Sequence, residues 1–339
     1  VVNFCRNKKM KIGVYSPNWI GDAVMALPFI HQLKEKVPES EITLICKDWV
    51  ADIYENHPAI AQIIPLSKSD IRGFKGTRKT GKSLQSSELD IFYTLTDSFR
   101  SAAILWWSKA KSRVGFHSQM RSLLLTDVID LPKEKVHRSK KYLYLIESQT
   151  KTGDSIGIKL TDEEIQWAKE ELENMGLEFL VALSPFSVVE SRSIPNKKIN
   201  EWLNGSNQHF LIFGSSGDSD RARSLINECA EIKLTNICGK YSIRESMALM
   251  SQCQFTLASD SGLGHISASL GIPTFSFFGA GDSEITKPIG KQTFVINKEV
   301  YCSPCRKNVC MNTKEHLHCL NEITQVDVKS AIQSLNLNP

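Results

Sequence analysis

The chain has 339 residues, of which 41% are hydrophobic and 23% charged, and its formal net charge is +4. Two domains with separate cores fit that length, and the composition excludes an unfolded chain. The charge is too small to imply nucleic acid, and no apolar run approaches the ~20 residues of a membrane span.

Nine cysteines are too few for a disulfide scaffold here, and Cys5, Cys46, Cys229, Cys238 and Cys253 lie in or near apolar segments, as reduced buried thiols do. Residues 1–10 lack the apolar region and cleavage site of a secretory signal, so Met10 reads as a candidate start and the compartment as cytoplasmic.

From Lys11 onward, short β-like runs alternate with amphipathic stretches, the pattern of a parallel sheet with crossover helices. In the first half the predicted strands are 11–16, 41–46, 62–66, 90–95 and 112–116, with helices over 23–36 and 98–109. Residues 67–88 break the pattern with six basic residues, three glycines and little apolar periodicity. They read as a basic loop: a solvated linker, or a flap that meets an anionic ligand.

Thr161 and Glu164 form a capping-box signature, and the helix that they open should stop at Gly176. Strands then restart at 178–184, 209–214, 255–259, 274–279 and 293–297, and a last helix is expected at about 325–336, packing back on the first domain. The predicted architecture is α/β, with two Rossmann-like domains, 10–165 and 166–339, whose parallel sheets face a central cleft.

Two strand-to-helix loops carry the chemistry. In the first, Asn18-Trp19-Ile20-Gly21-Asp22, Gly21 suits close backbone approach and Asp22 stands at the helix start, where an aspartate also serves as a plain N-cap. In the second, Asp260-Ser261-Gly262-Leu263-Gly264-His265 precedes a small-residue helix whose free amides suit a diphosphate, although glycine and serine are also ordinary turn residues.

Together with Gly271-Ile272-Pro273-Thr274, Ser98-Phe99-Arg100-Ser101-Ala102 and Arg113-Val114-Gly115-Phe116, these loops resemble glycosyltransferase family 9, the ADP-heptose:lipopolysaccharide heptosyltransferases. The likeness runs from about Met10 to the C-terminal helix and is greater to heptosyltransferase II than to I. It implies the GT-B fold and an inverting, metal-independent transfer of heptose from ADP-heptose to the lipopolysaccharide inner core. No cofactor is required.

By the same resemblance Asp22 is the general base. Asp260 holds donor sugar hydroxyls, and Ser261, Gly262, Leu263 and His265 surround the donor. Asn18, Trp19, Gly21 and Arg100 are weaker acceptor-binding candidates. Where the family usually has Lys-Arg-Trp-Pro, this chain has Arg192-Ser193-Ile194-Pro195, so Arg192 takes over the lysine's charge with a planar, two-pronged group. Ser187 and Glu190, in the same loop, are lesser candidates.

The implied partners are a nucleotide-sugar donor, the inner-core and lipid A acceptor and the inner face of the cytoplasmic membrane, with no nucleic acid. The basic segment and Trp106-Trp107-Ser108-Lys109-Ala110-Lys111 are candidates for that surface; a buried aromatic pair is the competing account of the tryptophans. A non-catalytic sugar-nucleotide-binding protein and a nucleotide-sugar epimerase are the alternative functions.

Three further patterns compete for chemistry. Residues 76–83 match the P-loop letter for letter but lack a preceding buried strand. Asp218-Ser219-Asp220 mimics a metal-binding DxD, yet its place before a helix suits capping. Finally Cys302, Cys305, Cys310 and Cys319 have spacing compatible with structural zinc, against reduced thiols or a disulfide.

Overall fold

The computed structural model describes residues 9–147 and 157–334. The chain divides into two compact units, Val1–Lys159 and Leu160–Pro339. The domain boundary expected at 165/166 would cut the Asp162–Asn174 helix, which belongs whole to the second unit and opens with the Thr161–Glu164 capping box.

The first unit holds six parallel strands, β1 (Lys11–Tyr15), β2 (Glu41–Lys47), β3 (Gln62–Leu66), β4 (Ile91–Thr94), β5 (Ser112–Phe116) and β6 (Asp127–Ile129), in the order β3-β2-β1-β4-β5-β6. The second repeats the plan with β7 (Leu180–Ser184), β8 (His209–Ile212), β9 (Lys233–Asn236), β10 (Thr256–Ser259), β11 (Thr274–Phe277) and β12 (Thr293–Ile296), ordered β12-β11-β10-β7-β8-β9. Central strands such as β7 and β10 are buried along their whole length, which is why they carry no charge and little polar alternation. The edge strands β6 and β9 were not among the predicted strands; they are short and largely half-exposed or exposed, so they carry little pattern.

In each sheet, chain order reverses beside the first strand, between β1 and β4 and between β7 and β10. Loops leaving neighbouring strands there diverge to opposite faces and open a crevice at the carboxyl edge. Both loops singled out above leave such strands, one after β1 and one after β10.

The expected basic loop is a correction. Residues Gly73–Ser83 form a helix, continued by a 3-10 turn over Leu84–Ser87. Its glycines hide the helix from sequence reading because they lower helix propensity. Gly81 is needed for packing: a Cβ there would lie 2.3 Å from Trp107 Cβ, so only glycine lets this helix approach Phe99–Ser108 so closely. The P-loop reading falls with it, since residues 76–83 lie inside this helix and follow no strand directly.

Asp218 accepts from Ser215 N at 3.0 Å and Ser215 Oγ at 2.7 Å, and so acts as a capping residue rather than half of a metal-binding pair. The last helix, Gln325–Gln333, buries Val328 and Ile332 in the second unit's own core beside Trp202. Among the described residues no helix is long and apolar enough to cross a membrane.

Candidate functional site

At the carboxyl edge of the first sheet, β1 runs into Ser16 and Pro17 and then the Ile20–Met25 helix. Ser16 Oγ and Tyr54 OH are 2.6 Å apart, and Tyr54 OH donates to Ala23 O at 3.2 Å, so a buried hydroxyl pair supports the turn from below. Trp49 Nε1 donates to Asn18 O at 2.8 Å and holds it from outside. Burial pushes the Tyr54 phenol well above its ordinary pKa, so it remains a neutral donor.

Asp22 does not occupy the N-cap, the plain structural alternative to its role as a base. Trp19 occupies the N-cap position without a side-chain cap bond, and Asp22 lies in the first turn. Its carboxylate is 24% exposed and faces Arg138, whose Nε stands 3.7 Å from Asp22 Oδ1.

Arg138 opens the Arg138–Tyr144 helix. Three residues on, Lys141 lies on the same face and reaches Asp97 at 2.5 Å. Asp97 follows β4 and also meets the fully buried Arg121 at 3.5 Å. Thus Asp22, in the first helical turn after β1, and Asp97, in the loop after β4, both stand at the reversal, each paired with a cation from the Arg138–Tyr144 helix.

Of the other candidates here, Trp19 is 64% exposed and packs little, while Arg100 is exposed in the first turn of the Phe99–Ser108 helix. The side-chain oxygen of Asn18 is buried without a hydrogen-bond partner. Gly21 is half-buried in the helix's first turn.

In the second sheet β10 ends at Ser259, whose Oγ donates to Phe186 O at 3.1 Å and ties this edge to the loop after β7. Asp260 follows, 4% exposed in its side chain, with Arg192 Nη1 from that other loop 3.2 Å away. Gly281 fits against the carboxylate, where a Cβ would stand 1.8 Å from Asp260 Oδ2. Burial pushes the Asp260 carboxyl up to about 6, and Arg192 pulls the other way.

Ser261 is the N-cap of the Gly262–Ser269 helix but makes no side-chain cap bond. Its Oγ is buried without a hydrogen-bond partner, and so is Arg192 Nε. Orphaned buried donors are costly unless something meets them, and here they surround the start of a helix whose first amides also need acceptors. An oxygen-rich anion answers both needs. Gly262 and Leu263 are half-buried in the first turn, and His265 is buried behind it.

Ser187 serves its own loop, its Oγ accepting from Val189 N at 3.3 Å, and Glu190 is exposed. The structure therefore groups Arg192, Asp260 and Ser261. Sequence reading missed Arg138, Trp49 and Gly281, each brought in by an element distant in the chain.

Residues 77–316 match the family model described as glycosyltransferase family 9 (heptosyltransferase). Lipooligosaccharide heptosyltransferase 2 of Haemophilus ducreyi is 25% identical over 312 residues, 85% of this chain and 88% of that protein. Lipopolysaccharide heptosyltransferase 2 of Escherichia coli K12 is 23% identical over 313 residues, covering 85% of this chain and 88% of its own.

Among solved structures, E. coli ADP-heptose lps heptosyltransferase II superposes with a TM-score of 0.80 at 22% identity, covering 96% of this chain and 98% of that one. The family 9 glycosyltransferase from Veillonella parvula DSM 2008 gives 0.82 at 20%, covering 96% and 97%. The architecture is accordingly the GT-B fold. With most of its length matched by one family model, this chain belongs to glycosyltransferase family 9, the heptosyltransferases.

Proposed function

We propose that the chain transfers heptose from ADP-heptose to a hydroxyl of the lipopolysaccharide inner core, with inversion and without a catalytic metal. The observation that carries this is the group at the end of β10: a buried Asp260–Arg192 pair beside a helix start with an unused serine hydroxyl. Arg192 and the first-turn amides hold the diphosphate, and Asp260 takes donor hydroxyls.

Asp22 accepts the proton of the acceptor hydroxyl as that oxygen bonds to the anomeric carbon. The bond from that carbon to the diphosphate breaks on the opposite side, and ADP leaves with its charge held by Arg192. A single displacement inverts the anomeric centre. With a cation already at the leaving group, transfer to truncated lipopolysaccharide, followed by mass spectrometry, should proceed without free Mg²⁺ or Mn²⁺. A strict requirement for either overturns the mechanism.

Action at the membrane's inner face is supported by the Gly73–Ser83 helix. It turns Lys75, Arg78, Lys79 and Lys82 to solvent, with no acidic residue from 71 to 87. Beside them Phe74 is 72% and Trp106 43% exposed, and Arg78 stacks 5.1 Å from the Trp107 ring centre. Cations around exposed aromatic rings suit an anionic lipid surface. Vesicles with anionic lipid should therefore bind the chain, and replacing those four cations with glutamine should release it while transfer to a soluble acceptor continues.

A further inference from the structure

From β12 to the His318–Asn321 helix, residues 297–317 form no helix or strand. A stretch of that length without regular structure is uncommon in a compact domain and calls for a specific reason to be ordered. It nonetheless clasps both loops of the Asp260 group. Ser303 Oγ donates to Gly279 O at 2.6 Å and Arg306 N to Ala280 O at 2.7 Å, next to the Gly281 that abuts Asp260. Ser191, the neighbour of Arg192, donates through Oγ to Lys307 O at 2.5 Å and through N to Asn308 O at 3.2 Å.

Cys302, Cys305, Cys310 and Cys319 line a single cavity of about 450 Å³ in this segment, and all four are free thiols. Two of the sulfurs already accept hydrogen bonds: Cys310 Sγ from Leu317 N at 3.2 Å, and Cys302 Sγ from Asn312 Nδ2 at 3.9 Å. Donors of this kind stabilise thiolate and orient it toward a metal. Lys307 and Lys314 line the same cavity and supply positive charge next to it. Arg306, directly after Cys305, and Leu317, two residues before Cys319, have φ of 56° and 52°, so the chain turns sharply at both places.

We propose that these four cysteines hold one soft divalent ion, zinc or ferrous iron, in a structural site that orders the segment and thereby fixes Arg192 and the Gly279–Gly281 loop. As the side chains stand, no three His, Cys, Asp or Glu groups among the described residues form a closed ligand array. The cysteines surround the cavity, and Cys305, which is exposed, must turn inward to complete a tetrahedron. Binding releases a proton from each thiol that becomes a ligand, and the two lysines offset the resulting net negative charge. The ion meets no substrate, so it is compatible with transfer that needs no catalytic metal. Only the consequence for donor binding rests on the function proposed above.

The test is elemental analysis of the full chain, untagged and purified under reducing conditions, as isolated and after reconstitution with zinc or ferrous iron. About one ion per chain is expected, and the element found distinguishes the two. Cobalt substitution should give thiolate-to-cobalt charge-transfer absorption. Cys305→Ser and Cys310→Ser should each lower metal affinity at least ~10-fold, while Cys229→Ser, outside the segment, should not. Metal absent after reconstitution, or held equally well by both ligand variants, overturns the site. Metal bound as expected in a chain that transfers no sugar upholds the site and refutes the proposed function instead.

Discussion

The two sheets each present an aspartate–arginine pair where the strand order reverses, after β1 in one and after β10 in the other, and the pairs differ in depth. Asp22 and Arg138 stand 3.7 Å apart with side chains 24% and 34% exposed; Asp260 and Arg192 stand 3.2 Å apart with Asp260 only 4% exposed. A carboxylate open to solvent can take up and release a proton during turnover. One enclosed by Gly281 and a guanidinium is suited to binding, because its partners are set before the ligand arrives. Depth, rather than residue type, separates the proposed base from the proposed donor group.

The hardest test of that contrast is Asp22→Asn, which keeps the shape and removes the base. We expect transfer to fall at least ~100-fold with ADP-sugar affinity unchanged, the lower end of general-base contributions. Near-normal turnover in a folded variant would end the assignment.

Arg192→Ala should come next, weakening ADP-sugar binding by ~10–100-fold in calorimetry, the range for a lost charge-assisted contact. It also leaves Asp260 buried beside no cation, so a lower melting temperature should accompany the loss. Unchanged donor affinity would move the role to another residue.

Arg138→Ala sharpens the comparison from the other side. If Arg138 aims Asp22, kcat should fall roughly 10-fold and the pH profile of kcat should shift, with ADP-sugar affinity untouched, a loss within that expected of a mispositioned group. Arg138→Lys should restore part of the rate. A variant that loses only stability would make the pair structural.

The smallest effect concerns Asp260→Asn. Its folded carboxyl lies at about 6 against an ordinary 3.8, so the fold disfavours the charged form. The stability linked to this group is whole below about pH 4 and is lost as pH rises through 6. Asparagine removes that penalty, so melting at pH 7.5 should rise by ~1 kcal/mol or more of stability, less what is lost at Arg192, while donor binding falls. A destabilised variant at neutral pH would contradict the burial argument.

Much of the plan was legible because buried strands and capped helices leave local marks. β7 and β10 carry no charged residue and are buried at every position, and the Thr161–Glu164 box is visible as two letters three apart. Asp22 and Asp260 were legible too, since each follows a strand and opens a helix. The Gly73–Ser83 helix was not, because it forms by packing: Gly81 admits Trp107, and Thr80 Oγ1 donates to Asp70 O at 2.6 Å. Local propensity opposes such a helix, and tertiary contact overrides it.

By itself the sequence determined the α/β alternation, the two loops proposed to carry the chemistry and the four cysteines, since each depends on residue type and short spacing. The tertiary structure decided which cation meets which carboxylate. Arg138 lies more than a hundred residues from Asp22, and Arg192 almost seventy from Asp260. Only the order of strands in each sheet brings them within ion-pair distance. It also decided how deep each pair lies, because burial is set by neighbours such as Gly281 that arrive from a different strand, and no local pattern records a neighbour that the chain reaches only by folding.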